Sequence, residues 1–320
     1  MSSYTTHMTE YGELNAISIY DTYADHQLKD CVVNEKFDLQ TSVGLLTPQY
    51  EHATVRRKHI YSVSFFRNGR ISRIALNEQT KVRTPLGMLP AELITFYESG
   101  SIKRLFPLNG QISGYWGEED EYTLAEELHF SFPFGDIKAK IIGICLSEDG
   151  TVKSFTFWPK EIVSIKTPIG EHSVRIGISL YPNGHVKSFE PAGPIDVMTP
   201  IGLIKCYDMN ANGMSGDSNS INFTEDGRIK SLIVSGTKIT VAGQNTTKTY
   251  SPTFIRDMVD QELFFQSLNV AFENDCVVFN GQDEYLISDN RFTIEPYHLP
   301  KRSKCADCSS CSQCGSGAGR

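Results

Sequence analysis

Asn183-Gly184-His185-Val186-Lys187-Ser188 is followed, after one further strand's worth of chain, by Thr199-Pro200-Ile201-Gly202, and both signals recur along the chain. The first returns as Asn68-Gly69-Arg70-Ile71, as Ser99-Gly100-Ser101-Ile102-Lys103-Arg104, as Asp149-Gly150-Thr151-Val152-Lys153-Ser154 and as Asp226-Gly227-Arg228-Ile229-Lys230-Ser231. Phe134-Gly135-Asp136-Ile137-Lys138 reads as a weaker copy, and Asp25-His26-Gln27-Leu28-Lys29 as a degenerate one. Asn-Gly and Asp-Gly tolerate the positive φ of a tight hairpin turn. Apolar residues alternate on both sides, which buries one sheet face. Each copy therefore predicts a β-hairpin.

The second signal returns at Thr84-Pro85-Leu86-Gly87 and Thr167-Pro168-Ile169-Gly170, and without proline at Thr41-Ser42-Val43-Gly44. Its offset from the preceding turn is identical after His26, Gly69 and Gly184, and slightly longer after Gly150. Proline is barred from central ladder positions, so this element marks a strand end and a turn. The step from Gly135 to Gly150 is less than half of that between the other turn glycines, so the array reads as irregular. Two polar insertions, 49–59 and 210–219, map to loops on one face of the repeat.

These signals predict a mainly β protein, a repeat array of antiparallel hairpins. The array either lies open as a curled meander sheet or closes as a β-propeller. Residues 1–13 read as a flexible arm, 14–250 as the repeat domain, 251–300 as a capping unit and 301–320 as a disordered cysteine-rich tail. In the cap, Ser251-Pro252-Thr253-Phe254-Ile255-Arg256 predicts a helix running to Leu263, with Ser251 as N-cap and Pro252 at the first helical position. Asn280-Gly281 predicts a further hairpin, and Phe292 and Ile294 a last strand.

Over 14–241 the pattern resembles the MORN-type repeats, in the variant found in antitoxin-like bacterial proteins. The resemblance is carried by the Phe/Tyr-rich strands, the x-Gly-x-Ile/Val-Lys turns and Asn109-Gly110-Gln111-Ile112-Ser113-Gly114-Tyr115-Trp116. The Thr-Pro-x-Gly element departs from it. The resemblance implies a long antiparallel sheet and a scaffold or binding role rather than catalysis.

Composition sets the outer bounds. Hydrophobic residues are 40% and charged residues 21% of the 320, enough for a sizeable core. A net charge of −8 argues against a broad nucleic-acid surface. No segment has the roughly 18 apolar residues of a membrane span, and the polar start carries no secretory signal, so a cytoplasmic protein is expected. Cys31, Cys145, Cys206 and Cys276 sit in apolar stretches and read as small buried hydrophobes.

The other four cysteines carry the sharpest chemical signal. Cys305, Cys308, Cys311 and Cys314 stand at a strict period of three. Four thiolates so spaced can reach one centre, an iron–sulfur cluster or zinc. The run resembles the bacterial ferredoxin spacing, but no proline follows Cys314 and the last spacer is one residue short. Disulfide chemistry and a plain Gly/Ser-rich tail are the competing readings. Lys301-Arg302-Ser303-Lys304 favours thiolate, or is a solvated linker.

Other constellations read more plainly. Asp208-Met209-Asn210-Ala211-Asn212-Gly213 matches half a calcium loop, but its twelfth position is Asn219 and an ordinary polar loop fits better. Arg56-Arg57-Lys58 between His52 and His59 is a small anion loop or, better, a solvated insertion. Glu118-Glu119-Asp120-Glu121 reads as a hydrated acidic cluster, and Trp116, Trp158, Tyr115 and Phe157 as packing residues or a ligand face. The functional expectation is a non-enzymatic scaffold with a protein partner and a metal-binding tail. The alternative is an enzyme on the loops of a propeller.

Overall fold

The computed structural model describes residues 5–50, 54–58, 60–212, 216–244, 246–256 and 263–298. Its backbone is organised by two kinds of turn. In the first, the N–H of Tyr23, Phe66, Tyr97, Ser147, Tyr181 and Thr224 donates to the carbonyl four positions on, at 2.7–2.9 Å. The N–H three positions on, from His26 or a glycine, donates back at 2.9 Å. The glycines there hold φ between +82° and +88°, and His26 holds +65°. These are the Asx-Gly hairpins.

In the second kind, the Oγ1 of Thr9, Thr41, Thr84, Thr167 and Thr199 donates to the carbonyl of the glycine three positions on, at 2.6–2.8 Å. Those glycines hold φ between +103° and +126°. The threonine hydroxyl ties off the hairpin end and explains why Thr, rather than the proline after it, is the constant residue.

Gly135 belongs to the second class. Its φ is +136°, and Phe132 pairs directly with it across the hairpin, in the threonine's place. The expectation of an Asx-Gly copy fails there because the Asp-Ile-Lys after the glycine imitates the first class. Thr9-Glu10-Tyr11-Gly12, inside the stretch expected to be an arm, is another second-class turn between strands Thr5–Thr9 and Gly12–Thr22. With both placed, the irregular array becomes a strict alternation. Second-class turns close at Gly12, 44, 87, 135, 170 and 202, and Asx-Gly turns centre on His26 and Gly69, 100, 150, 184 and 227.

The strands form one continuous antiparallel meander. From Gly12–Thr22 it proceeds through Leu28–Val33, Val63–Phe65, Ile71–Thr84, Gly87–Phe96, Ile102–Phe106, Gly135–Leu146, Val152–Phe157, Gly170–Leu180, Val186–Pro191, Ile221–Phe223, Ile229–Val234, Leu268–Glu273 and Cys276–Phe279 to Asp283–Leu286. The two ends do not pair with each other, so the sheet is open and the propeller alternative is overturned. Long strands serve two partners. Gly170–Val174 pairs with Val163–Thr167, and after a register shift Gly177–Ser179 pairs with Ser154–Thr156. Such strands pass from the meander into a second layer of short hairpins, including Leu39–Thr41 with Gly44–Leu46 and Ile195–Thr199 with Gly202–Cys206.

The core lies between the layers. Phe130 and Phe132 of strand Glu127–Phe132 set their rings 5.3 and 5.6 Å from Phe155 of the meander, and Tyr250 stacks on Phe279 at 4.2 Å. Burying such aromatics removes roughly 150–250 Å² of surface each and dominates the core energetics. Cys31, Cys145 and Cys206 are buried as expected, and burial pushes the Cys31 thiol up to about 12. Cys276 is half-buried.

Two local expectations fail. Residues 253–256 are a strand, Thr253–Arg256, paired with Leu263–Gln266, not the start of a helix. Thr-Phe-Ile is β-branched and aromatic, and a matching Phe264-Phe265 lies across from it, so cross-strand packing overrides the cap signal. The acidic cluster is the helix Glu118–Leu124 instead of a loop, its four carboxylates complementing the helix N-terminus. No helix among the described residues is long and apolar enough to cross a membrane.

Candidate functional site

Both kinds of turn sit on one edge of the double layer. The second-class turns at Gly12, Gly44, Gly87 and Gly170 each meet not the next Asx-Gly turn in sequence but the one after it. Tyr11 Oη accepts from the Ile71 N–H at 3.2 Å, and Ser42 Oγ donates to the Gly100 carbonyl at 2.9 Å. A Cβ on Gly150 would lie 2.7 Å from Pro85 Cγ, and one on Gly227 would lie 3.4 Å from Pro168 Cβ. Tyrosines stitch the Asx-Gly row sideways: Tyr23, Tyr97 and Tyr181 donate to the carbonyls of Phe65, Leu146 and Phe223 at 2.7–3.0 Å.

Between the two rows lie clefts that recur with the repeat. Three are bounded by two consecutive second-class turns and two consecutive Asx-Gly turns, and in the fourth the hairpin at Asn274 replaces the second Asx-Gly turn. The cleft at turns 12/44 and 69/100 has a volume of about 320 Å³. That at 44/87 and 100/150 has about 310 Å³. Those at 135/170 and 184/227, and at 170/202 and 227/274, have about 440 and 690 Å³. One wall of each is apolar, with Tyr11, Pro85, Phe134 or Pro200. Their charged lining is mixed, with Glu148, Glu225 and Glu273 in the last three and Arg70, Arg83, Lys166 and Arg228 in the four in turn. His185 is exposed and lines the third of these four.

No protein-family model and no curated protein matches the chain. The MORN-type resemblance therefore stands on the residues that carry it.

The opposite edge is different in kind. Strands leading away from the turns end there, and three insertions, 47–62, 107–126 and 207–220, leave from it. Arg56, read as solvated or anion-binding, donates from Nη1 and Nη2 to Glu92 at 3.0 and 2.7 Å and from Nε and Nη2 to Glu121 at 2.8 Å each. Burial works against its charge, but the bonds to Glu121 and Glu92 outweigh it and raise its pKa. The Asn109 and Gly110 N–H groups and Trp116 Nε1 fill the remaining carboxylate sites at 2.7–2.8 Å. Arg57 is buried too, donating to the Leu76 and Asn77 carbonyls and to Gln49. Signals for this clamp were present in the sequence, Arg56 and Glu121, but the partners come from distant parts of the chain.

Residues 216–220 of the third insertion lie against the sheet. Gly216 N–H donates to Thr156 Oγ1 at 2.7 Å, and Asp217 accepts from Ser154 and Arg104. Asn219 donates to Ser188 Oγ at 2.7 Å, and Ser220 donates twice to Glu190 Oε2. Asp208 Oδ1 accepts from the Asn210 N–H and from Ser267 Oγ, so it closes a polar turn. Among the described residues no group of three or more His, Cys, Asp or Glu side chains could hold a metal ion. Gly213, His52 and His59 lie outside the described residues, as do Cys305, Cys308, Cys311 and Cys314. Phe157 and Trp158 are buried in the core rather than on a ligand face, while Tyr115 is exposed.

Proposed function

We propose that this protein is a non-catalytic β-repeat scaffold of the cytoplasm that binds a partner protein along its turn edge, and that its four-cysteine tail holds a metal ion or an iron–sulfur cluster. The observation that carries the scaffold reading is the recurrence of one cleft geometry with the repeat. Repeat proteins characteristically bind through an extended surface built from equivalent positions. The tail reading rests on the period of three between Cys305, Cys308, Cys311 and Cys314. An active site on the insertions is the weaker reading, because every oxygen of Glu92 and Glu121 already accepts a bond.

A photo-crosslinking residue at Ser99 or Glu225, on the turn edge, is expected to trap a discrete partner in cells, and one at Glu119, on the opposite edge, is not. Equal trapping from both edges contradicts the binding edge. For the tail, anaerobic purification of the full chain should yield stoichiometric iron with sulfide, or zinc, lost on changing the four cysteines to serine. A metal-free protein under reducing, metal-replete conditions contradicts it.

A further inference from the structure

A β-bulge recurs beside every Asx-Gly turn. In each hairpin two residues of the second strand oppose one of the first. The second of the two is Asp30, Arg73, Arg104, Ser154, Ser188 and Ser231 in chain order. The strand registers set these residues in one row across the meander. Arg73 pairs with Thr95, Thr95 with Arg104, Arg104 with Cys145 and Cys145 with Ser154. One position along, Ile74, Ile94 and Leu105 pair in the same way and are buried in the core. Neighbouring residues of a strand face opposite ways, so the row lies on the outer face of the meander, away from the second layer.

Part of this row already holds an anion. Asp217 accepts from Ser154 Oγ and from Arg104, two consecutive bulge residues with Cys145 on the strand between them. One hairpin back, Arg73 and Arg104 are consecutive bulge residues with Thr95 between them. Among the described residues Arg73 is in no ion pair, and its side chain donates to the Tyr61 carbonyl at 3.3 Å. Burial lowers the Arg73 pKa, and Asp30, one hairpin further back, offsets only part of this. Lys103, the other bulge residue opposite Thr95, is exposed and in no ion pair. Thr95 Oγ1 is enclosed and has no hydrogen-bond partner. The position equivalent to the Asp217 carboxylate, one repeat along, thus has its donors and lacks its acceptor.

We propose that Arg73, Lys103 and Arg104 bind a phosphate group over Thr95 on the outer face of the meander. Two guanidinium forks and an ammonium suit a dianion with several oxygens better than a single carboxylate. A hydroxyl enclosed without a partner is costly, and a phosphate oxygen gives it an acceptor. The ligand is free phosphate or the phosphomonoester of a small molecule. The site is distinct from the turn clefts and does not depend on the binding-edge reading.

The test is calorimetric titration of the full chain with inorganic phosphate and with glycerol 3-phosphate, at constant ionic strength and about pH 8, where both are dianions. One saturable site is expected, with a Kd below about 1 mM for at least one probe. Tighter glycerol 3-phosphate assigns the site to a phosphomonoester, and tighter phosphate assigns it to the free ion. Arg73→Gln should weaken binding by about tenfold or more with an unchanged circular dichroism spectrum. Thr95→Val, which removes the hydroxyl and keeps the shape, should weaken it by about threefold. Lys187→Gln changes the equivalent bulge lysine two hairpins on, beside Ser188, and should leave binding unaltered. No saturable binding of either probe up to about 10 mM, full binding by Arg73→Gln, or equal weakening by Lys187→Gln overturns the proposal.

Discussion

The two edges of this molecule are built on opposite principles. The turn edge is periodic: two kinds of turn alternate along it, each closed by its own local hydrogen bonds. The opposite edge is aperiodic, and its insertions are held by long-range charge contacts, such as half-buried Arg56 with buried Glu92 and Glu121. Local chemistry repeated many times makes a regular surface that a regular ligand can follow. Unique contacts made once make a seal. A protein can thus vary its far edge without disturbing the spacing of its clefts.

If the far edge is a seal of mutually dependent charges, breaking it should cost most. Arg56→Ala leaves two buried carboxylates without their cation, and a loss of about 3–5 kcal/mol is expected in urea unfolding. Adding Glu92→Gln and Glu121→Gln should recover a large part of it. A loss below about 1 kcal/mol would place the clamp among weak surface pairs. The sheet-lying insertion comes next. A Cβ on Gly216 would collide with the Phe155 carbonyl oxygen, so Gly216→Ala should cost about 1–3 kcal/mol by overpacking. The turn edge, being many small local bonds, should respond less at any one point. Thr167→Ala removes one hydroxyl bond and should cost about 0.5–1.5 kcal/mol, read as a small fall in Tm with the fold intact.

Glu190 sharpens the contrast through pH. Burial raises its carboxyl above the ordinary range, opposed by the Ser220 bonds and by Arg175 at 3.7 Å. The folded state then holds the proton more tightly than the unfolded chain. Stability is greatest below the unfolded value and declines as pH rises through the raised folded value. Glu190→Gln removes that decline. Its Tm should exceed the parent's near about pH 7, with the gap closing toward about pH 4. A parent protein that gains stability on the alkaline side relative to the variant would contradict the assignment.

What was legible in the sequence follows the same division. Turn chemistry is local, so Asn183-Gly184 and Thr199-Pro200-Ile201-Gly202 announced the hairpins, and their alternation announced the sheet. Where the local signal was ambiguous the reading slipped. Gly135 carried the Ile-Lys of one class and the backbone of the other, and Thr9-Glu10-Tyr11-Gly12 had no proline to mark it. The choice between an open and a closed array depends on whether the first and last strands meet, which no single repeat encodes. The clefts were illegible for a related reason. They arise because the turns starting at Thr9, Thr41, Thr84 and Thr167 each meet the second Asx-Gly turn after them, an offset set by how the layers pack. The clamp was hidden because Arg56 and Glu121 looked like solvated charges until the fold enclosed them.

That offset is the centre of the account, and a disulfide tests it directly. A Cβ on Gly150 lies 3.4 Å from Pro85 Cβ, and one on Gly227 lies 3.4 Å from Pro168 Cβ. Both are close to the span of a disulfide, about 3.5–4.5 Å. In a chain whose four tail cysteines are serine, Pro85→Cys with Gly150→Cys and Pro168→Cys with Gly227→Cys should each form a bond under mild oxidation, seen by peptide mass spectrometry. The mismatched pair Pro85→Cys with Gly227→Cys should not. Crosslinking of the mismatched pair, or of neither matched pair, would contradict the packing that builds the clefts.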